Sequence, residues 1–259
     1  MRNTESRPSE QIWPLRRKLF EFHPTFYGSM DWHAASRPFF VFIPYNARFL
    51  RGGSMPIIVD YDAGNVRSVQ RACEYVGMQA EISADPDVVR SADKLIFPGV
   101  GSAASAVDTL KARGLDEALI EYFHSGNPML GICLGLQIVL EHTEEGDKTC
   151  LGLVDGACER FEFKDPSIKV PHIGWNELTI EREHPMLKDM RSGDEFYFVH
   201  SYYAKPLNEA HILGTSDYGD KKFCAVIGKD NLFATQFHLE KSGKLGLKLL
   251  AAFRDWSTC

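Results

Sequence analysis

From Met55 onward, apolar and polar positions follow a regular pattern. Pro56-Ile57-Ile58-Val59-Asp60 is a short apolar run closed by a carboxylate, which predicts a buried strand. Tyr61-Asp62-Ala63-Gly64-Asn65 reads as a turn, with Asn65 placed to cap the helix after it. Val66, Val69, Ala72, Cys73 and Val76 recur at helical spacing, and Gly77 stops that helix. Met78 to Ile82 predicts a second strand, Asp85 to Ser91 a short helix, and Lys94-Leu95-Ile96-Phe97 a third strand entering Pro98-Gly99-Val100-Gly101-Ser102. Two helical patterns follow, Ala103 to Lys111 and Leu115 to His124. Gly126-Asn127 then turns into the apolar run from Pro128 to Cys133, and an apolar helical pattern continues through Leu134, Ile138 and Leu140. Strands alternating with helices predict an α/β fold, a mostly parallel central sheet flanked by helices, with ligands beyond the C-terminal strand ends.

After Cys150 the texture turns to shorter strands, read as additional antiparallel strands in the C-terminal half. They are Leu153-Val154, Glu177 to Ile180, Glu195 to Val199, Ile212 to Thr215, Cys224 to Ile227 and Leu232 to Gln236. Lys241 onward predicts a closing helix with Leu245, Leu249, Ala252, Phe253 and Trp256 on its inner face.

Residues 1–54 have another texture. Arg16-Arg17-Lys18 is a small basic cluster, followed by Phe20, Phe22, Phe26, Tyr27 and Trp32 without helical period, then Phe39 to Ile43 and Arg51-Gly52-Gly53-Ser54. No basic region leads into an apolar core and cleavage site, and Glu5, Glu10, Glu21 and Asp31 interrupt any transit-peptide pattern. The expectation is a dispensable extension over residues 1–54, with translation starting at Met55, and one domain over 55–259. The alternative is a docking segment that covers part of that domain.

The formal net charge of −6 argues against a nucleic-acid-binding role. No apolar run is long enough to span a membrane. The cysteines Cys73, Cys133, Cys150, Cys158, Cys224 and Cys259 form no C-x-x-C pair and no regular framework. A cytoplasmic location is expected, where a free thiol stays usable. No metal, nucleotide or flavin motif is present, so no cofactor is expected.

One stretch carries chemistry that the pattern alone does not require. Gly131-Ile132-Cys133-Leu134-Gly135 sits between the predicted strand and helix, which is the spelling of a nucleophile elbow with Cys in place of Ser. A Cβ at Gly131 or Gly135 would crowd such a turn. The helix N-terminus favours the thiolate, and the Leu134 N–H is placed to receive an oxyanion. A buried core cysteine is the plain alternative; the two glycines argue against it. Gln236-Phe237-His238-Leu239-Glu240 supplies a base and its orienter. Positions two apart on a strand point the same way, so His238 and Glu240 can share a face. Pro98-Gly99-Val100-Gly101 can supply a second oxyanion donor, or can be an ordinary tight turn.

Together these features resemble the class I glutamine amidotransferases, whose fold is flavodoxin-like. Within the class, Lys169-Val170-Pro171-His172-Ile173-Gly174-Trp175-Asn176 and Phe196-Tyr197-Phe198-Val199-His200-Ser201-Tyr202 resemble the glutaminase subunits of imidazole glycerol phosphate synthase, of histidine biosynthesis. So do Val59-Asp60-Tyr61 with Gly64-Asn65, and Glu240-Lys241-Ser242. The resemblance covers nearly the whole chain from Ile57. It implies Cys133, His238 and Glu240 as the catalytic triad, with Val100, Gly101 and Leu134 in the oxyanion hole. Gln137, His200, Ser201 and Tyr202 would hold glutamine. The (β/α)8-barrel cyclase subunit would dock on Asn65, Trp175, Asn176 and Lys241 to form a heterodimer and receive the ammonia. No metal is implied.

Two residues depart from the family pattern: Leu239 stands where Pro is usual, and Asp62 where Gly is common. Proline would stiffen the chain beside His238. Asp is less favourable than Gly if the turn needs a positive φ. Three other readings compete: an amidotransferase subunit feeding a surface-polysaccharide synthetase, a stand-alone cysteine hydrolase, and a catalytically silent partner subunit.

Overall fold

A computed structural model of the chain describes residues 55–258. The expectations for residues 1–54 lie outside the described residues. The first half alternates as the pattern predicts: β1 (Ile57–Val59), α1 (Val66–Tyr75), β2 (Glu81–Ser83), α2 (Pro86–Arg90), β3 (Leu95–Gly99), α3 (Ala103–Ala112), α4 (Leu115–His124), β4 (Met129–Cys133) and α5 (Leu134–Ile138). The second half holds β5 (Leu140–Thr143), β6 (Lys148–Thr149), β7 (Val154–Arg160), β8 (His172–Ile180), β9 (Asp194–His200), β10 (Tyr202–Pro206), β11 (Ile212–Tyr218), β12 (Lys221–Lys229), β13 (Leu232–Thr235) and α6 (Gly243–Asp255).

The sheet runs β2-β1-β3-β4-β13-β12-β10-β7-β5-β6, with β11 bridging from β12 to β8 and β8 pairing with β9. From β2 to β13 the pairs are parallel, and from β13 outward most are antiparallel. Strands β1, β3 and β4 are buried along their whole length, which explains their unbroken apolar runs. The helices form two packed groups, α1 with α6 and α2 through α5 with one another.

Burial also recruits a charge. The Lys94 ammonium, in a residue only 9 % exposed, donates to the carbonyls of Phe253, Arg254 and Trp256 at 2.9, 2.6 and 2.6 Å. Those are the free acceptors at the C-terminal end of α6, where a cation is favoured. The lysine thus ties the start of β3 to the closing helix.

Five readings of the sequence need correction. The helix after Cys133 ends at Ile138, and Leu140 opens β5 instead. β8 begins at His172, five residues before the expected start, and β10 was not expected at all. Asn65 occupies the N-cap of α1 but makes no cap hydrogen bond, because its amide is engaged elsewhere. The last strand of the sheet stops at Thr235, so His238 lies beyond it, at the start of a 3-10 turn over Leu239–Lys241. Among the described residues, no helix is long and apolar enough to cross a membrane.

Candidate active site

β4 delivers Cys133 to the C-terminal edge of the parallel sheet, beside Gly99 of β3. Its backbone has φ 53° and ψ −102°, a conformation that a residue with a Cβ adopts only under strain. The surroundings enforce it. A Cβ on Gly135 would lie 1.9 Å from the Phe97 carbonyl oxygen, and one on Gly131 would lie 2.8 Å from the Ala234 Cβ. The glycines therefore let α5 press against β3 and β4, and the chain has no room to turn more gently.

Cys133, Leu134 and His238 line one cavity of about 450 Å³ with Val100, Gly101, Gln137, His200, Ser201, Tyr202 and Lys241. Every residue expected to form the oxyanion hole or to hold glutamine thus borders the same space. Glu240 lies behind His238, with both side chains fully buried and Oε1 2.8 Å from His238 Nδ1. The contact is the expected one, but its cause differs: the 3-10 turn, not strand alternation, folds the carboxylate back onto the ring.

Asn65 Nδ2 donates to the same Glu240 oxygen at 2.9 Å. Burial opposes the charged form of Glu240, but the hydrogen bonds from His238 and Asn65 hold its pKa below the ordinary value. At His238 burial again opposes charge, and its interactions with Cys133 and Glu240 together outweigh it and raise the pKa. The imidazole is thus biased toward its protonated form beside the thiol.

The loop opposite is fixed at its root. The buried Tyr61 hydroxyl donates to the Pro98 carbonyl at 3.0 Å, and a Cβ on Gly99 would fall 2.0 Å from that hydroxyl. Gly101 at φ 96° then takes a conformation that glycine accepts readily. Asp62 does sit at positive φ, 73°; its backbone N–H is bound by the Asp60 carboxylate and its own carboxylate pairs with Arg113.

The residues expected at a partner interface separate into two sets. Trp175 is 55 % exposed and its neighbour Ile173 60 %, both on one face of β8. Trp175 packs edge-on to Tyr197, and the exposed Lys241 ammonium lies over that same ring. Asn65, by contrast, is 4 % exposed and serves Glu240. Asn176 lies on the other face of β8 and donates inward to the Asp217 carbonyl at 2.8 Å. Neither asparagine belongs to the exposed patch.

Sequence reasoning missed three residues here. Glu145 lines the cavity while its carboxylate accepts the Ala103 N–H at the start of α3. Gln236, wholly buried, donates through Nε2 to Cys133 Sγ at 3.7 Å. His172 is buried against His200. Only the register of the folded sheet brings the last two into play.

A thiol on a strained elbow, with an imidazole and a carboxylate behind it, defines an α/β protein equipped for cysteine attack on an acyl group. The model for glutamine amidotransferase class-I matches residues 57–254. The imidazole glycerol phosphate synthase subunit HisH of Syntrophotalea carbinolica is 44 % identical over 206 residues, covering 78 % of this chain and all of that protein. The subunit of the same name from Neisseria meningitidis serogroup B is 45 % identical over 77 % of this chain and 98 % of its own length. Among solved structures, that of PurLQS from Thermotoga maritima superposes with a TM-score of 0.61 at 17 % identity, over 78 % of this chain and 98 % of that one. That likeness is one of fold. The chain belongs to the class I glutamine amidotransferases and, within them, to the HisH family of imidazole glycerol phosphate synthase subunits.

Proposed function

We propose that this chain is the glutaminase subunit of imidazole glycerol phosphate synthase, hydrolysing glutamine and passing the ammonia to a cyclase subunit. The observation that carries the reading is the strained Cys133 elbow sharing one cavity with a His238 already held by Glu240. The thiolate attacks the side-chain amide carbon of glutamine, and the carbonyl π electrons move to oxygen. The Leu134 N–H and a backbone N–H of the Val100–Gly101 loop receive that oxyanion. His238, protonated beside the thiolate, gives its proton to the amide nitrogen, so that the C–N bond breaks and ammonia leaves. Neutral His238 then takes a proton from water as it attacks the thioester; the C–S bond breaks, glutamate departs, and the Cys133 thiolate beside protonated His238 is restored. Glu240 stays ionised and fixes the ring. Gln137, His200, Ser201 and Tyr202 line the pocket for glutamine, and the Glu145 carboxylate offers an anion for its α-ammonium group.

The cyclase subunit docks on the exposed face carrying Ile173, Trp175 and Lys241, which borders the cavity through Lys241 and would shield the ammonia from water. The complex is a cytoplasmic heterodimer, this glutaminase uses no cofactor, and residues 1–54 are dispensable for hydrolysis. The test is glutamate release by the full chain, alone and with the cognate (β/α)8-barrel cyclase carrying its nucleotide substrate, with Cys133→Ala as control. A low basal rate that rises with the liganded partner and vanishes in the control is expected. Hydrolysis that persists in Cys133→Ala would overturn the assignment of the nucleophile.

A further inference from the structure

We propose that His172 and Asn176 are positioning residues in a hydrogen-bond relay that joins the inner face of β8 to the Cys133 thiol. The relay is continuous and each donor is determined. Asn176 Nδ2 stands 3.4 Å from His172 Nε2, His172 Nδ1 is 3.0 Å from His200 Nε2, and His200 Nδ1 is 2.7 Å from the Tyr202 carbonyl. A carbonyl only accepts, so His200 carries its proton on Nδ1. Burial keeps both rings neutral, so His200 Nε2 accepts and His172 must donate from Nδ1. His172 Nε2 is then the bare nitrogen that Asn176 serves.

The Tyr202 carbonyl also accepts from Gln137 Nε2 at 3.0 Å. Gln137 Nε2 reaches Gln236 Oε1 at 3.2 Å, and Gln236 Nε2 reaches Cys133 Sγ at 3.7 Å. Five side chains and one carbonyl thus lead from β8 to the nucleophile through the wall of the glutamine pocket. The outer face of the same strand carries the exposed Ile173 and Trp175. His172 and His200 are direct cross-strand partners, so a shift of β8 alters their contact first. A partner pressing on the outer face therefore changes the donors offered to Tyr202, Gln137 and Cys133. This part rests on the proposed docking of the cyclase at that face.

Two measurements test it. In the full chain with ¹⁵N-labelled histidine, imidazole nitrogen NMR should show His172 and His200 both as Nδ1–H tautomers. An Nε2–H form at either residue overturns the relay, whatever the partner does. The second reads the activation ratio, the glutaminase rate with the liganded cyclase divided by the rate alone. His172→Leu should lower that ratio at least tenfold, and His172→Gln should restore most of it, since a glutamine amide can accept from Asn176 and donate to His200. If His172→Leu binds the cyclase and keeps the wild-type ratio, or loses both rates equally, the relay is refuted. If the wild-type chain itself neither binds nor responds to the cyclase, the docking reading fails with it.

Discussion

The two neutral histidines of that relay make the fold sensitive to acid, and the effect can be worked through. Burial lowers the pKa of His172 to about 4 and that of His200 to about 3, against about 6.5 for an unfolded histidine. A depressed histidine pKa means that the unfolded chain binds the proton first. Above about pH 6.5 neither state is protonated and the pair makes no pH-dependent contribution. As pH falls from 6.5 toward the folded values, the unfolded state gains protons that the folded state refuses, and stability drops. At pH 5 the difference for each ring is about 1.5 pH units at 1.36 kcal/mol per unit, or about 2 kcal/mol per histidine. The pair therefore removes about 4 kcal/mol between pH 7.5 and 5, a large share of a typical domain's stability. The assay is urea unfolding by circular dichroism at pH 7.5, 6.5, 5.5 and 5. Other groups titrate over this range, so the informative quantity is the difference between wild type and His172→Gln. That variant should lose about 2 kcal/mol less than wild type on going to pH 5. Parallel stability curves for the two proteins would show that His172 is not held neutral in the fold.

Three further outcomes are expected. Gly135→Ala should destabilise the chain by several kcal/mol or abolish folding, because the new Cβ overlaps the Phe97 carbonyl at 1.9 Å and backbone on both sides must move; an unchanged melting temperature would refute the crowded elbow. Lys94→Met should lower stability by about 1–3 kcal/mol in chemical denaturation by leaving three carbonyls at the end of α6 without their donor, and a neutral effect would mean that water replaces the ammonium without loss. Leu239→Pro should leave glutaminase activity unchanged or higher, since His238 is already extended at φ −86°, ψ 106° and residue 239 opens the 3-10 turn, where proline is tolerated; a steady-state rate well below wild type would show that the buried leucine side chain holds His238.

The parallel half of the sheet was legible in the sequence because burial on both faces writes unbroken apolar runs, as in Ile57–Val59 and Met129–Cys133. Cys133 was legible for a related reason: only a crowded turn calls for glycine on both sides of it. The antiparallel half was less so. Tyr202–Pro206 mixes aromatic residues, a lysine and a proline, and its place between β7 and β12 is set by partners far away in sequence. Trp175 and Asn176 were expected at one interface, yet β8 sends Ile173 and Trp175 outward and His172 and Asn176 to its other face. The His172–His200 pair exists only because β8 and β9 pair in that register, which no local pattern encodes. Asn65 was read by the local rule for helix caps, and a carboxylate 175 residues away won its amide.

That competition bears on how the site is organised. Among the described residues, the buried side-chain polar atoms without a hydrogen-bond partner include His238 Nε2, Glu240 Oε2 and Asn65 Oδ1, all in one cluster. Buried polar atoms are seldom left so, and each calls for a reason. Glu240 uses a single oxygen, Oε1, for both His238 and Asn65. Two donors on one oxygen fix the carboxylate in rotation, and with it the plane of the imidazole. His238 spends Nδ1 on that contact, which leaves Nε2 as its only nitrogen free to exchange a proton with the thiol or with a leaving group. A ring satisfied at both nitrogens would be better bonded in the resting fold, but it would have no position from which to act. An Nε2 kept for Cys133, and not tied up by the scaffold, is therefore what the His238–Glu240–Asn65 cluster is arranged to provide. Asn65, expected at the surface, belongs to the interior machinery that holds it so.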